Sequence, residues 1–179
     1  MASELNIALI DKRLSGVIGS NVAKTVRLMC VKCEGILVTD GEASQVVGHP
    51  THGQKRNVDV VNVMVLFRNG VAEMLAVLNP GEEAERKIRE AVQDVDRQVR
   101  AAIEPLMESV SDAIEAIVLT IHKEDFSKDR EDEDGASSGE NCSLYMKELQ
   151  GFLSRVSADF LAPFNCRDTL QVRYTFLSL

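Results

Sequence analysis

The sequence predicts an all-α protein, an elongated bundle of long amphipathic helices. Three observations carry that prediction. Apolar residues recur at intervals of three and four through four separate segments, the period that lines one face of a helix. Aromatic residues make up 4% of the 179 residues, with no Trp, while 45% are hydrophobic, mostly Val, Ile, Leu, Ala and Met. So few rings weigh against a β-sandwich or a base-stacking surface. Along the longest segment acidic residues precede basic ones by four, the order that favours a helix. A chain of this length can bury one continuous core.

The first segment runs from Leu5 to Val38. Ile7, Ile10, Leu14, Val17 and Ile18, then Val22, Val26, Met29, Cys33 and Ile36, fall on one helical face. Gly16 and Gly19 each cost a helix about 1 kcal/mol relative to Ala, which predicts a break beside them and the stronger helix over Ser20–Val38. Asp40-Gly41 opens a loop that continues through Gly48-His49-Pro50. Thr51-His52-Gly53-Gln54 then matches a capping box, in which the Thr and Gln side chains satisfy free amides at a helix start. The second helix carries Val60, Met64, Phe67, Val71, Met74 and Leu78 in alternating steps of four and three, a heptad seam. Asn79-Pro80-Gly81 stops it.

The third segment is the longest. Ile88, Val92, Val95, Val99, Ile103, Leu106, Val110, Ile114, Ile117 and Ile121 form its stripe. Successive steps of four rotate the stripe as a stutter would, and Pro105 is expected to kink the helix. Glu82-Arg86, Glu83-Lys87, Glu85-Arg89 and Asp96-Arg100 stand at i,i+4 with the acid first. From Ser127 to Glu140 nothing apolar remains to offset ordering entropy, so this stretch reads as a disordered linker. A last helix follows, capped by Asn141 or Ser143, bearing Leu144, Met146, Leu149, Phe152, Leu153, Val156 and Phe160, and ended by Pro163. Val172-Arg173-Tyr174-Thr175-Phe176 alternates like a strand but has no sheet to join. These elements divide the chain into a helical bundle of three or four long helices over residues 1–126, an acidic disordered linker over 127–141, a terminal helix over 142–165 and a divergent, poorly ordered tail over 166–179.

The net charge of −8 argues against nucleic acid, whose binders draw affinity from Lys and Arg on phosphates. The N-terminal residues lack the basic and apolar regions of an export signal. The most apolar stretches, Val58–Phe67 and Ala113–Ile121, are interrupted by Asp59, Asn62 and Glu115 and fall short of the roughly 20 residues that span a bilayer. A cytosolic protein follows, with four reduced cysteines and at most peripheral membrane association.

One constellation could hold a metal. Cys30-Val31-Lys32-Cys33 and His49-Pro50-Thr51-His52 supply a Cys2His2-like set, making a small zinc-binding regulatory module the alternative reading. The His pair is more closely spaced than zinc sites favour, and Cys33 lies on an apolar helix face, where a thiol behaves as a small hydrophobe. His122-Lys123-Glu124-Asp125 suits a solvated helix end, where His122 and Lys123 complement the dipole. No nucleophile elbow or phosphate loop is present. The sequence therefore assigns no catalytic, cofactor-binding or metal residue, predicts no cofactor and predicts a protein that is not an enzyme. A further alternative is a coiled coil that self-associates through the Val60–Leu78 seam; packing inside the chain is the commoner fate of such a seam.

Particular words carry a resemblance beyond periodicity. Asp40-Gly41-Glu42-Ala43-Ser44-Gln45-Val46-Val47-Gly48 with Gly53-Gln54-Lys55-Arg56-Asn57-Val58 resembles a loop-and-helix signature of the subunit 5 family of the conserved oligomeric Golgi complex. Asp112-Ala113-Ile114-Glu115-Ala116-Ile117 with His122-Lys123-Glu124-Asp125-Phe126 is similar to the same family. So is Cys142-Ser143-Leu144-Tyr145-Met146-Lys147-Glu148-Leu149-Gln150-Gly151-Phe152, the longest uninterrupted match. The words occur in family order over roughly Val22–Cys166.

The resemblance implies a helical-rod subunit of a vesicle tether that acts in intra-Golgi retrograde transport, with no catalytic residues and no cofactor. It implies partners among subunits 6, 7 and 8, SNAREs and small GTPases, and a place on the cytoplasmic face of Golgi membranes held through those partners. Against the family pattern this chain starts well inside the subunit, and Arg167–Leu179 departs from it. The expectation is thus a fragment from the C-terminal region, with a bundle incomplete at its C-terminus and a tail that is not family sequence.

Overall fold

The structure is a computed structural model and describes Ser3 and residues 12–78, 80–123 and 143–166. Helix α1 spans Lys12–Glu34, and a 3-10 turn follows at Gly41–Ser44. Helix α2 spans His52–Leu78 and α3 spans Glu82–Leu119, with a second 3-10 turn at Thr120–Lys123. Helix α4, Leu144–Arg155, runs on into a π turn at Val156–Leu161. Among the described residues all regular structure is helical, as the sequence predicts. The expected start of the first helix at Leu5, the linker at 127–141 and the tail with its strand-like Val172–Phe176 lie outside the described residues.

Helix α3 is the spine. Helix α1 packs on it most extensively, α2 next, and α4 over a shorter stretch. Of the predicted stripe, Ile88, Val95, Val99, Ile103, Leu106, Val110 and Ile117 are buried, while Val92, Ile114 and Ile121 are half-buried. Ala84, Ala91 and Met107 widen it. The stripe is broad because α3 must meet helices on more than one side. The helix runs without interruption past Pro105.

Helix α1 corrects one expectation directly: no break occurs at Gly16 and Gly19. A Cβ at Gly19 would stand 2.5 Å from Ala84 Cα and 2.6 Å from its Cβ. The missing side chain lets the α1 and α3 backbones approach, and the burial gained offsets the helix propensity lost. A second correction concerns which residues face the core. Val22, Val26 and Cys33 are buried as expected, but Leu14, Val17 and Ile36 are exposed. Of the α2 seam, Met64 and Val71 are buried and Val60, Phe67 and Met74 half-buried, joined by buried Val61, Val65 and Leu75. The chain's own core thus takes the seam that a self-associating coiled coil would need.

The α2–α3 corner is tight. Gly81 holds φ 97°, a left-handed conformation that suits Gly, and Ser15 Oγ donates to the Pro80 carbonyl. Glu83–Lys87 (2.8 Å) and Glu85–Arg89 (2.5 Å) form as predicted. Arg86 turns instead to Glu90 (2.6 Å), and Asp96 pairs across to Arg68 on α2 (2.8 Å). Arg27 reaches Asp94 at 3.1 Å and Lys87 donates to Ser20 Oγ at 3.0 Å, both linking α1 to α3. Exposed pairs of this kind contribute tenths of a kcal/mol each, so they orient helices that apolar burial holds together.

In the terminal helix Phe152, Val156, Phe160 and Phe164 are buried at steps of four. A regular α-helix drifts off its face by about 40° per such step. The π turn, with Ala162 N–H bonded to Ser157 O at 2.8 Å, widens the helix there and keeps the aromatic rings on one side. Ser143 sits at the N-cap with extended backbone but makes no capping bond through its side chain. Leu144 and Met146, expected on the apolar face, are exposed.

Candidate interaction surface

The loop between α1 and α2 is held by buried polar side chains. Thr51 and Gln54 form the predicted capping box: Thr51 N–H donates to Gln54 Oε1 (2.8 Å) and Gln54 N–H to Thr51 Oγ1 (3.3 Å). Gln54 Nε2 then donates to Gln45 O (2.6 Å). Asn57 accepts from Val38 N–H (2.9 Å) and donates to Val38 O (2.5 Å), and Val46 N–H donates to Ser109 Oγ on α3 (3.2 Å). Gln54 and Asn57 are only 5% and 6% exposed, so every bond they make replaces water that cannot reach the backbone there. Asn57→Ala would leave the Val38 amide and carbonyl without partners, and it is expected to cost about 1–3 kcal/mol, read as a lower urea midpoint at unchanged slope.

A second clamp fixes the C-terminal strap. Asn62 Nδ2 donates to Pro163 O at 2.9 Å and Asn62 Oδ1 accepts from Asn165 N–H at 2.7 Å. Between the two clamps lies a cleft of about 370 Å³. Val58, Leu106, Phe160 and Phe164 give it apolar walls, and Lys55, Asp59 and Asp159 stand among its polar lining. Its amides, Gln54 and Asn57, are engaged in holding the backbone.

The candidate metal ligands do not converge. Cys30 and Cys33 are buried on the core face of α1, and Cys33 Sγ contacts Met29 Sδ at 3.3 Å. Burial pushes the Cys30 thiol up in pKa, helped by Cys33 and by Asp94, and burial alone raises Cys33. A metal needs the thiolate, which this environment disfavours. His49 lies on the loop with its side chain 95% exposed, its Nδ1 3.9 Å from Asp159 Oδ2, and His52 is exposed at the start of α2. Among the described residues no three His, Cys, Asp or Glu side chains group as metal ligands. The zinc alternative therefore finds no support among the described residues: helix periodicity turns both thiols inward while the loop carries His49 to solvent. Burial also raises the Cys166 thiol, at the end of the C-terminal strap. His122, expected at a solvated helix end, is exposed in the turn after α3.

Several large apolar side chains remain outside the core. Leu28 and Val31 on α1 and Val63 and Leu66 on α2 all face solvent. Periodicity alone does not pick out Leu28, Val31, Val63 and Leu66, because a single apolar stripe per helix leaves them off the expected core face. On α1, Leu14 and Val17, expected on the core face, stand exposed with Leu28 and Val31.

A helical bundle segment organised on one long spine, with buried amides serving its own backbone and apolar groups left on outer helix faces, has the build of a helix-packing module. The chain is 45% identical to mouse conserved oligomeric Golgi complex subunit 5 over 174 residues, covering 94% of this chain. It is 30% identical to the Drosophila protein of the same name over 171 residues, covering 92% of this chain. It is thus homologous to subunit 5 of the conserved oligomeric Golgi complex along nearly all of its length. The chain spans about one fifth of the length of these relatives, 20% of the mouse protein and 22% of the fly protein. Coverage of 94% also requires the match to begin before Val22, so it takes in part of the glycine-bearing half of α1. No protein-family profile and no solved structure matches the chain.

Proposed function

We propose that this chain is an assembly segment of a Golgi vesicle-tethering subunit, acting through helix-to-helix protein contacts and not through catalysis. The observation that carries the reading is the 45% identity to mouse subunit 5 sustained over 94% of the chain. The fold supports it: the signature residues Gln54 and Asn57 are spent on loop architecture, and apolar side chains remain on outer helix faces. In this reading the segment works in intra-Golgi retrograde transport, with partners among subunits 6, 7 and 8 and with SNAREs and small GTPases as tethering contacts. Residence on the cytoplasmic face of Golgi membranes is peripheral and depends on those partners. No helix among the described residues is long and apolar enough to cross a membrane, which is consistent with attachment of that kind.

The test is a pull-down of the purified chain from cytosol, with bound proteins identified by mass spectrometry. Sister subunits of the Golgi complex are the expected catch. A soluble, helical chain that recovers none of them would contradict the reading.

A further inference from the structure

Helix α1 has two faces, and the core uses only one. On the other lie Leu14, Val17, Asn21, Lys24, Leu28 and Val31, in steps of three, four, three, four and three. At 3.6 residues per turn these six fall within a strip about 100° wide and about 26 Å long, centred opposite the buried Val22, Val26 and Cys33. The four apolar members are 43%, 59%, 58% and 61% exposed in chain order. Nothing in the described part of the chain covers them. Periodicity of this kind on an outward face is the seam by which a helix receives another helix.

Charge says which kind of helix. In a chain of net charge −8, α1 carries Lys12, Arg13, Lys24, Arg27 and Lys32 against the single acid Glu34. Arg27 is committed to Asp94. Lys24 within the strip and Lys32 at its edge are exposed, and neither has an ion-pair partner among the described residues. A second copy is a poor occupant, because like charge meets like: Lys24 opposes Lys24 in a parallel pair, and in either orientation a helix with five basic residues and one acid meets its own excess of positive charge. A lipid surface is a poor one too, since the strip is narrow, has no aromatic side chain and places Asn21 and Lys24 at its middle.

We infer that the outer face of α1 docks an acidic amphipathic helix of a partner protein, whose apolar residues interleave with Leu14, Val17, Leu28 and Val31 and whose carboxylates meet Lys24 and Lys32. This rests on the assembly reading above and names its surface.

The test uses the purified full chain and the sister subunits it recovers, beside the double variant Leu28→Glu, Val31→Glu and the single variant Lys24→Glu. These positions are exposed, so melting and helical circular dichroism stay at wild-type values. Recovery of the partner falls at least about tenfold for each variant, and zero-length carboxyl–amine coupling joins Lys24 or Lys32 to Asp or Glu of a partner helix. Undiminished recovery by both folded variants overturns the inference and leaves the assembly reading standing. A wild-type chain that recovers no sister subunit removes the assembly reading and this inference with it. Self-association in sedimentation, or flotation with phosphatidylserine-containing vesicles, that is abolished by the double variant also overturns it, in favour of a second copy or a lipid surface respectively.

Discussion

Replacing Gly19 by valine is expected to destabilise the protein by about 3 kcal/mol, at the upper end of the cost of overpacking a core. The first carbon of any side chain at this position would stand 2.5 Å from the Ala84 backbone, a separation that real Cβ contacts do not reach. The neighbour is main chain and cannot rotate away, so α1 must lift off α3, and the contacts along the most extensive helix pair must loosen with it. For a chain of this size the melting temperature falls by about 2–4 °C per kcal/mol, so a drop of about 6–12 °C is expected. Gly16 supplies the control within the same helix. A Cβ there would meet only the Glu83 carboxylate, at 3.6 Å, an ordinary contact. Gly16→Ala is therefore expected to be neutral or to stabilise, by up to about 1 kcal/mol from helix propensity. Equal melting of Gly19→Val and wild type would mean that α1 does not sit against α3 as described.

Ile88→Ala is the second large effect. Ile88 lies on α3 one turn after Ala84 and is 0% exposed. Truncation removes three carbons from a fully enclosed site, losing their transfer free energy and leaving a cavity that rigid neighbouring helices close only in part. The expected loss is about 2–5 kcal/mol, a large share of the roughly 5–15 kcal/mol by which native domains are stable. It reads as a lower urea midpoint with little change in slope. Leu66→Ala on the outer face of α2, where the side chain is 73% exposed, is the matched comparison and should stay within about 0.5 kcal/mol of wild type. Similar losses at both positions would mean that the α3 stripe is not the core.

The contrast between these sites shows what was legible in the sequence. The α3 stripe was readable because seven of its ten apolar positions are buried, and period alone identifies a helix that long. The Thr51–Gln54 capping box was readable because both partners lie within one turn. Gly19 misled because propensity is a local quantity, whereas its role depends on Ala84, far along the chain. The same local logic pairs Asp96 with Arg100, whereas Arg68, 28 positions earlier, takes it instead. Periodicity puts Leu14 and Val17 on the core face with Ile18, although of the three only Ile18 packs against the core. A list of apolar residues does not say which of two faces a protein keeps for itself.

The candidate site divides the same way. The words around Gln54 and Asn57 were legible as a family signature before their physical task was visible. That task is to satisfy a loop backbone across sequence gaps of 9 and 19 residues. The Cys and His set resembles a zinc site in spacing alone, and spacing carries no information on direction. Cys30 and Cys33 are both core residues of α1, and one exposed loop histidine cannot follow them inward. The apolar outer face of α1 emerges only once the buried face is known.

The most direct test of the central claim is analytical ultracentrifugation of the purified chain mixed with purified Golgi-complex subunits 6, 7 and 8, separately and together. An assembly segment is expected to leave its own boundary and sediment with at least one of them, at a stoichiometry that saturates. A chain that stays folded and sediments alone at every ratio would contradict the claim that it works by binding sister subunits.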